Sequence, residues 1–171
     1  MSLYVFGYGS LMWRPGFPFE RRDHALIRGR HRSLCVYSFV HRGTPERPGL
    51  VMGLDRGGAC RGVAFKIADA DRDDVMAYLR AREQVTMVYL ERTMSAELED
   101  GRVVDAVTYV VDRNHQQYAG RLSHSAMLDQ VRGAVGQSGP NEDYVTATAD
   151  HLSSVGAPDP ALNALAAALR T

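Results

Sequence analysis

Two places in this chain combine residue types that could do chemistry: a glutamate, Glu83, and a glycine-punctuated turn, Tyr8-Gly9-Ser10-Leu11. The turn follows a short apolar run that reads as a strand over 3–6. Gly7 and Gly9 have no Cβ, so the backbone there can take φ > 0 and a ligand can approach closely. Successive N–H groups in such a turn can cradle a carboxylate or phosphate. The same residues also fit a plain tight turn. Glu83 falls where a helix is expected to end, near the negative end of its dipole. Burial there would further disfavour the charged carboxylate, and a carboxyl so raised is a better base near neutral pH. The alternative is a solvated glutamate paired with Arg80 or Arg82, either of which would oppose the shift. Ser10 does not fit a nucleophile elbow, because the positions two before and two after it are Tyr8 and Met12 rather than glycine.

These residues need a scaffold, and the pattern of the chain supplies one. Apolar and β-branched runs predict strands over 3–6, 31–39, 49–54, 62–67, 87–96 and 103–111. Glu99-Asp100-Gly101 reads as a hairpin turn between the last two, and Arg56-Gly57-Gly58-Ala59 as another turn. One helix interrupts the strands, with Asp71 as N-cap, Val75, Met76 and Leu79 on its apolar face, and an end near Ala81 or Arg82. The last third reads as helical. Ser123 caps a helix over 124–135, Gly139-Pro140 opens one that Gly156 stops, and Asp159-Pro160 caps one over 161–169. Strands first and helices late argue for an α+β fold rather than a Rossmann sheet.

At 171 residues the chain reads as one domain with room for a sizeable core. It holds no long apolar run and opens without a basic and apolar leader, so neither a membrane span nor a signal peptide is expected. Cys35 and Cys60 lie far apart in strand-like stretches, which predicts buried free thiols and a reducing, cytoplasmic setting. The formal net charge is zero but uneven: residues 1–66 carry 11 basic side chains against 4 acidic, and the rest carry 9 against 16. All but Lys66 of the basic residues are arginines, which suit bidentate recognition of a small carboxylate. The neutral balance and the lack of a basic stripe with stacking aromatics argue against nucleic acid. The six histidines show no zinc-ligand spacing, so no metal is expected.

Five words occur in order: Phe6-Gly7-Tyr8-Gly9-Ser10-Leu11, His41-Arg42-Gly43-Thr44-Pro45-Glu46, Arg82-Glu83-Gln84-Val85, Tyr118-Ala119-Gly120 and Ser138-Gly139-Pro140-Asn141-Glu142. Together they resemble the ChaC-type γ-glutamylcyclotransferases, which act on glutathione. The resemblance implies a small, mostly antiparallel β-barrel flanked by helices. It implies that a γ-glutamyl amine closes on its own side-chain amide, releasing 5-oxoproline and Cys-Gly without a cofactor. It places Glu83 at the catalytic position and Tyr8, Gly9, Ser10 and Leu11 against the γ-glutamyl group. It also gives substrate contacts to Arg42, otherwise a surface arginine in a Gly-Pro loop, and to Tyr118, otherwise a packing tyrosine. The word around Asn141 reads as helix-start chemistry and is assigned to structure. Two other readings stay open. One is a cyclotransferase for other γ-glutamyl amino acids or γ-glutamylamines. The other is a non-catalytic regulator of an ion transporter on the same fold.

Overall fold

The computed structural model describes residues 2–83 and 87–171. Its contacts divide the chain into two compact units, one of 1–32 with 54–112 and one of 33–53 with 113–171.

A closed five-stranded barrel organises the first unit, in the order β1-β3-β2-β4-β5. The strands are β1 (Leu3–Gly7), β2 (Arg21–Ser38), β3 (Gly49–Ile67), β4 (Tyr89–Leu98) and β5 (Val103–Val111). β1 runs antiparallel to β3, with Leu3 opposite Ile67, and parallel to β5, with Tyr4 opposite Ala106. β4 and β5 form the predicted hairpin, with Tyr89 opposite Val111 and Glu97 opposite Val103. Gly101 takes φ +90 in its turn. Strand side chains alternate between faces, so Tyr4, Phe6 and Tyr8 share one core with Ile27, Leu54, Ala64, Leu98 and Val110. Each large side chain so buried contributes about 1.5–3 kcal/mol. Cys35 and Cys60 are both buried, as the sequence leads one to expect.

Two strand expectations need correction. β2 begins at Arg21 rather than His31, because its first half is charged outside and only Ala25 and Ile27 are buried there. β3 continues through Arg56-Gly57-Gly58-Ala59 instead of turning there. Gly57 (φ +98) and Gly58 (φ +68) are left-handed within the strand, a local irregularity that glycine tolerates and the ladder outlasts.

The helix α1 (Arg72–Glu83) follows a 3₁₀ turn over Asp69–Asp71, so Asp71 lies inside that turn rather than capping α1. Val75 and Leu79 are buried on its inner face. Phe17 makes edge contacts with both Phe65 of β3, at 5.5 Å, and Tyr78 of α1, at 6.2 Å. No helix among the described residues is long and apolar enough to cross a membrane.

The second unit carries α2 (His124–Val131), a two-stranded ribbon of β6 (Val135–Gly136) and β7 (Gly139–Pro140), α3 (Asn141–Ser154) and α4 (Pro160–Leu169). Ser123 and Asp159 are caps as read, accepting from the N–H of Ala126 and of Leu162. α2 stops at Val131 rather than 135, since Gly133 turns left-handed (φ +78) into the ribbon. The Arg47 guanidinium donates to the terminal carbonyls of Asp129 and Arg132, which satisfies that helix end. α3 runs from Asn141 with Pro140 as its N-cap, as read to within a residue, and Gly139–Pro140 also form β7.

Asn141 explains its word. It is fully buried, its side-chain oxygen accepts from Leu50 N at 2.9 Å and its amide donates to Leu50 O at 2.9 Å. Both polar groups of one β3 residue therefore depend on one side chain. Asn141→Leu keeps a similar volume but orphans both, and is expected to cost about 2–4 kcal/mol. Urea unfolding checks this; an unchanged midpoint contradicts it.

Candidate active site

β1 delivers the Tyr8-Gly9-Ser10-Leu11 turn. Tyr8 is buried, and its carbonyl accepts from Arg32 Nε of β2 at 2.6 Å, while Arg32 Nη2 donates to Arg61 O of β3 at 2.7 Å. Ser10 to Met12 form one 3₁₀ turn, closed by Met12 N–H donating to Gly9 O at 2.9 Å. The N–H groups of Ser10 and Leu11 come before that first bond, as the orphan donors of a helix start do. Leu11 and Met12 are buried and anchor the turn. One expectation is corrected: neither Gly7 nor Gly9 is left-handed, and Gly9 has φ −136. What glycine supplies is space. A Cβ on Gly7 would lie 3.0 Å from Leu11 Cβ, and one on Gly9 would project into open space that a ligand can use.

Glu83 is the last residue of α1, at the negative end of the dipole, as expected. Its side chain is 19% exposed. Burial pushes its carboxyl above the ordinary value, and the charge of Arg82 pulls only partly back. Arg82 Nε stands 3.7 Å from Glu83 Oε1, close enough for Coulomb attraction but too far for a hydrogen bond.

Neither neighbouring arginine hydrogen-bonds Glu83. Arg80 is taken by Glu91 of β4, with Nε at 3.0 Å and Nη2 at 3.1 Å from its two oxygens. Glu91 also accepts from Tyr109 OH of β5 at 2.9 Å. The Arg80 hydrogen bond holds Glu91 below its ordinary range; burial, then that bond to Glu91, pushes the Tyr109 phenol up. Arg82 spends its donors elsewhere: Nη1 on Arg14 O (2.8 Å), Pro15 O (3.2 Å) and Tyr78 OH (3.0 Å), and Nη2 on Ser10 Oγ (2.8 Å). Gly16 is left-handed (φ +74) where the Tyr78 hydroxyl fits, since a Cβ there would lie 2.1 Å from it.

The structure therefore brings Ser10 and Glu83 to the same guanidinium. Arg42 and Tyr118 belong to the second unit, each engaged within it. Arg42 donates from Nη1 to Pro140 O at 3.2 Å and lies 5.6 Å from the Tyr144 ring centre. Tyr118 bridges Val36 and has Arg113 5.5 Å from its ring centre. Gln84 and Val85 of the Arg82 word lie outside the described residues. Sequence reasoning treated Arg82 only as a charge opposing Glu83 and missed its links to the turn. The one available signal was Tyr78, four residues earlier and so on the same helix face. Among the described residues no group of three or more His, Cys, Asp or Glu could hold a metal.

The ChaC-like protein family model matches residues 3–171. The glutathione-specific γ-glutamylcyclotransferase of Escherichia coli is 31% identical over 163 residues, covering 95% of this chain and 71% of that protein. γ-Glutamylcyclotransferase 2-3 of Arabidopsis thaliana is 32% identical over 178 residues, covering 99% and 89%. A solved yeast γ-glutamyl cyclotransferase specific to glutathione shares the fold, with a TM-score of 0.85 at 22% identity, over 99% of this chain and 96% of that one.

A buried acid with a raised pKa destabilises the fold once ionised. The folded form holds its Glu83 proton to higher pH than the unfolded chain does, so stability falls as pH rises from about 4.5 through the raised folded value. Glu83→Gln removes that loss. Its melting temperature is expected to exceed that of the parent at pH 7 and to converge with it below about pH 4.5. Parallel curves with no convergence contradict the burial assignment.

Proposed function

Since the chain belongs to the ChaC-like protein family, we propose that it is a glutathione-specific γ-glutamylcyclotransferase whose base is Glu83. The observation that carries this is a half-buried carboxyl with raised proton affinity, at a helix end joined through Arg82 to the Ser10 turn. The names of the Escherichia coli and human relatives support glutathione as the substrate.

The chemistry follows from what cyclisation needs. The α-nitrogen of the γ-glutamyl residue arrives as an ammonium and has no lone pair to attack with. Glu83, ionised, removes one proton; its raised pKa narrows the gap to the ammonium, which makes it a better acceptor than an ordinary carboxylate. The freed amine attacks the γ-carbonyl carbon, and the new C–N bond closes a five-membered ring. Charge builds on the carbonyl oxygen, where preorganised N–H donors act most strongly. The N–H groups of the Tyr8-Gly9-Ser10-Leu11 turn serve there or at the α-carboxylate. The bond to the cysteinyl nitrogen then breaks as Glu83 returns its proton to that leaving nitrogen, and the second proton of the original ammonium passes from the ring nitrogen to the freed Cys-Gly amine, which leaves as an ammonium. The products are 5-oxoproline and Cys-Gly, so the reaction is an intramolecular aminolysis that adds no water. Holding the γ-glutamyl chain folded supplies much of the rate. Two buried cysteines and a thiol substrate both fit a reducing cytoplasm.

Glu83→Gln is expected to lower 5-oxoproline release from glutathione by about 10²–10⁴-fold while calorimetry still detects glutathione binding. Undiminished turnover in that variant removes Glu83 from the mechanism. A panel of γ-glutamyl dipeptides run beside glutathione reads the substrate. Turnover of glutathione alone supports the specificity proposed, and equal turnover of the panel replaces it with the broader one.

A further inference from the structure

We infer that Arg82 is a positioning residue for the cyclisation: its guanidinium ties the Ser10 turn to the end of α1 and biases Glu83 by charge without hydrogen-bonding it. The inference rests on the cyclotransferase reading of the same site.

The geometry separates two jobs within one side chain. Nη1 and Nη2 reach four acceptors spread over three segments: Ser10 Oγ on the turn, Arg14 O and Pro15 O on the chain that follows, and Tyr78 OH on α1. These bonds hold the turn against the helix that carries Glu83. Nε alone faces the carboxylate, at 3.7 Å. The same helix offers an internal contrast. Arg80 engages Glu91 through two bonds near 3 Å, and a carboxylate so held is a poor base because its lone pairs are occupied. Arg82 commits Nη1 and Nη2 elsewhere and its Nε stops at 3.7 Å, so it takes no lone pair of Glu83 that a substrate ammonium would use.

A lysine could not do both jobs. Its ammonium is a single point with three donors, while the planar guanidinium carries five donors in a fixed fork. Other charges around Glu83 are few among the described residues. Tyr109 of β5 interacts with it electrostatically, and Tyr109 in turn is bonded to Glu91 of β4, which Arg80 neutralises. From the turn and the chain after it come the carbonyls of Arg14 and Pro15, which are bound to Arg82 itself.

The two jobs predict different behaviour for two variants. Arg82→Lys keeps the charge and loses the fork. It is expected to lower kcat for glutathione about ten- to a hundredfold with the acid limb of the kcat/KM–pH profile unmoved. Arg82→Gln loses both, so its kcat falls at least as far and its acid limb moves to higher pH. Ser10→Ala, which deletes one acceptor, should lower kcat less than Arg82→Lys and leave the acid limb in place. Parent-like rates in both Arg82 variants overturn the inference, and so does an acid limb that moves equally in both or in neither. Inactivity of the parent protein on every γ-glutamyl compound would sink the cyclotransferase reading instead. The bias of Glu83 by the Arg82 charge then stands or falls on unfolding: above pH 4.5 the melting temperature should fall more steeply with pH in Arg82→Gln than in Arg82→Lys, and equal slopes overturn it.

Discussion

Removing one carboxyl from water while denying it a hydrogen-bonded counter-ion is the constraint on which the site depends. Glu83 ends α1 with its side chain 19% exposed, and Arg82, the cation paired with it among the described residues, stops at 3.7 Å. Desolvation outweighs that cation, so the proton is held more tightly than by a surface glutamate. Such an arrangement works against folding stability at neutral pH. Structures keep arrangements of this kind where function needs a poised group.

The barrel makes the arrangement sustainable. Tyr4, Phe6 and Tyr8 point into one core along β1, while Leu3 and Val5 are buried on its other face. A one-residue slip would send the aromatic side chains to the face that Leu3 and Val5 fill, so packing on both faces fixes the register. The turn that follows β1 inherits that fixed register. On the other side, Val75 and Leu79 bury the inner face of α1, and Phe17 touches both α1 and β3. The turn and the helix end are thus each set by packing before Arg82 joins them. Polar groups complete the frame: Thr108 Oγ1 of β5 donates to Phe6 O at 3.1 Å, just before the turn begins.

Much of this was legible in the chain. Apolar and β-branched runs marked β1, β4 and β5, and the caps Ser123 and Asp159 marked two helices, because these signals are local. The first half of β2 was hidden, since a strand with polar residues outside and only Ala25 and Ile27 buried lacks a continuous apolar run. Gly57-Gly58 misled because left-handed glycines serve an irregular strand as well as a turn. The end of α1 and the place of Glu83 on it were readable from spacing. The roles of the two arginines were not. Which carboxylate Arg80 would choose depended on Glu91 arriving from β4, and the partners of Arg82 lie 67 to 72 residues away in the chain apart from Tyr78. Long-range pairing of this kind follows from the fold and leaves no pattern in the sequence.

The most direct test is a titration of the Glu83 side-chain carboxyl itself, by carbon-detected NMR on the intact protein, with Glu83→Gln identifying the resonance. The account predicts a midpoint clearly above 4.5, the ordinary glutamate value, because burial outweighs Arg82. A midpoint at or below that value would mean that the arginine dominates, and Glu83 would then be a paired surface carboxylate rather than a base.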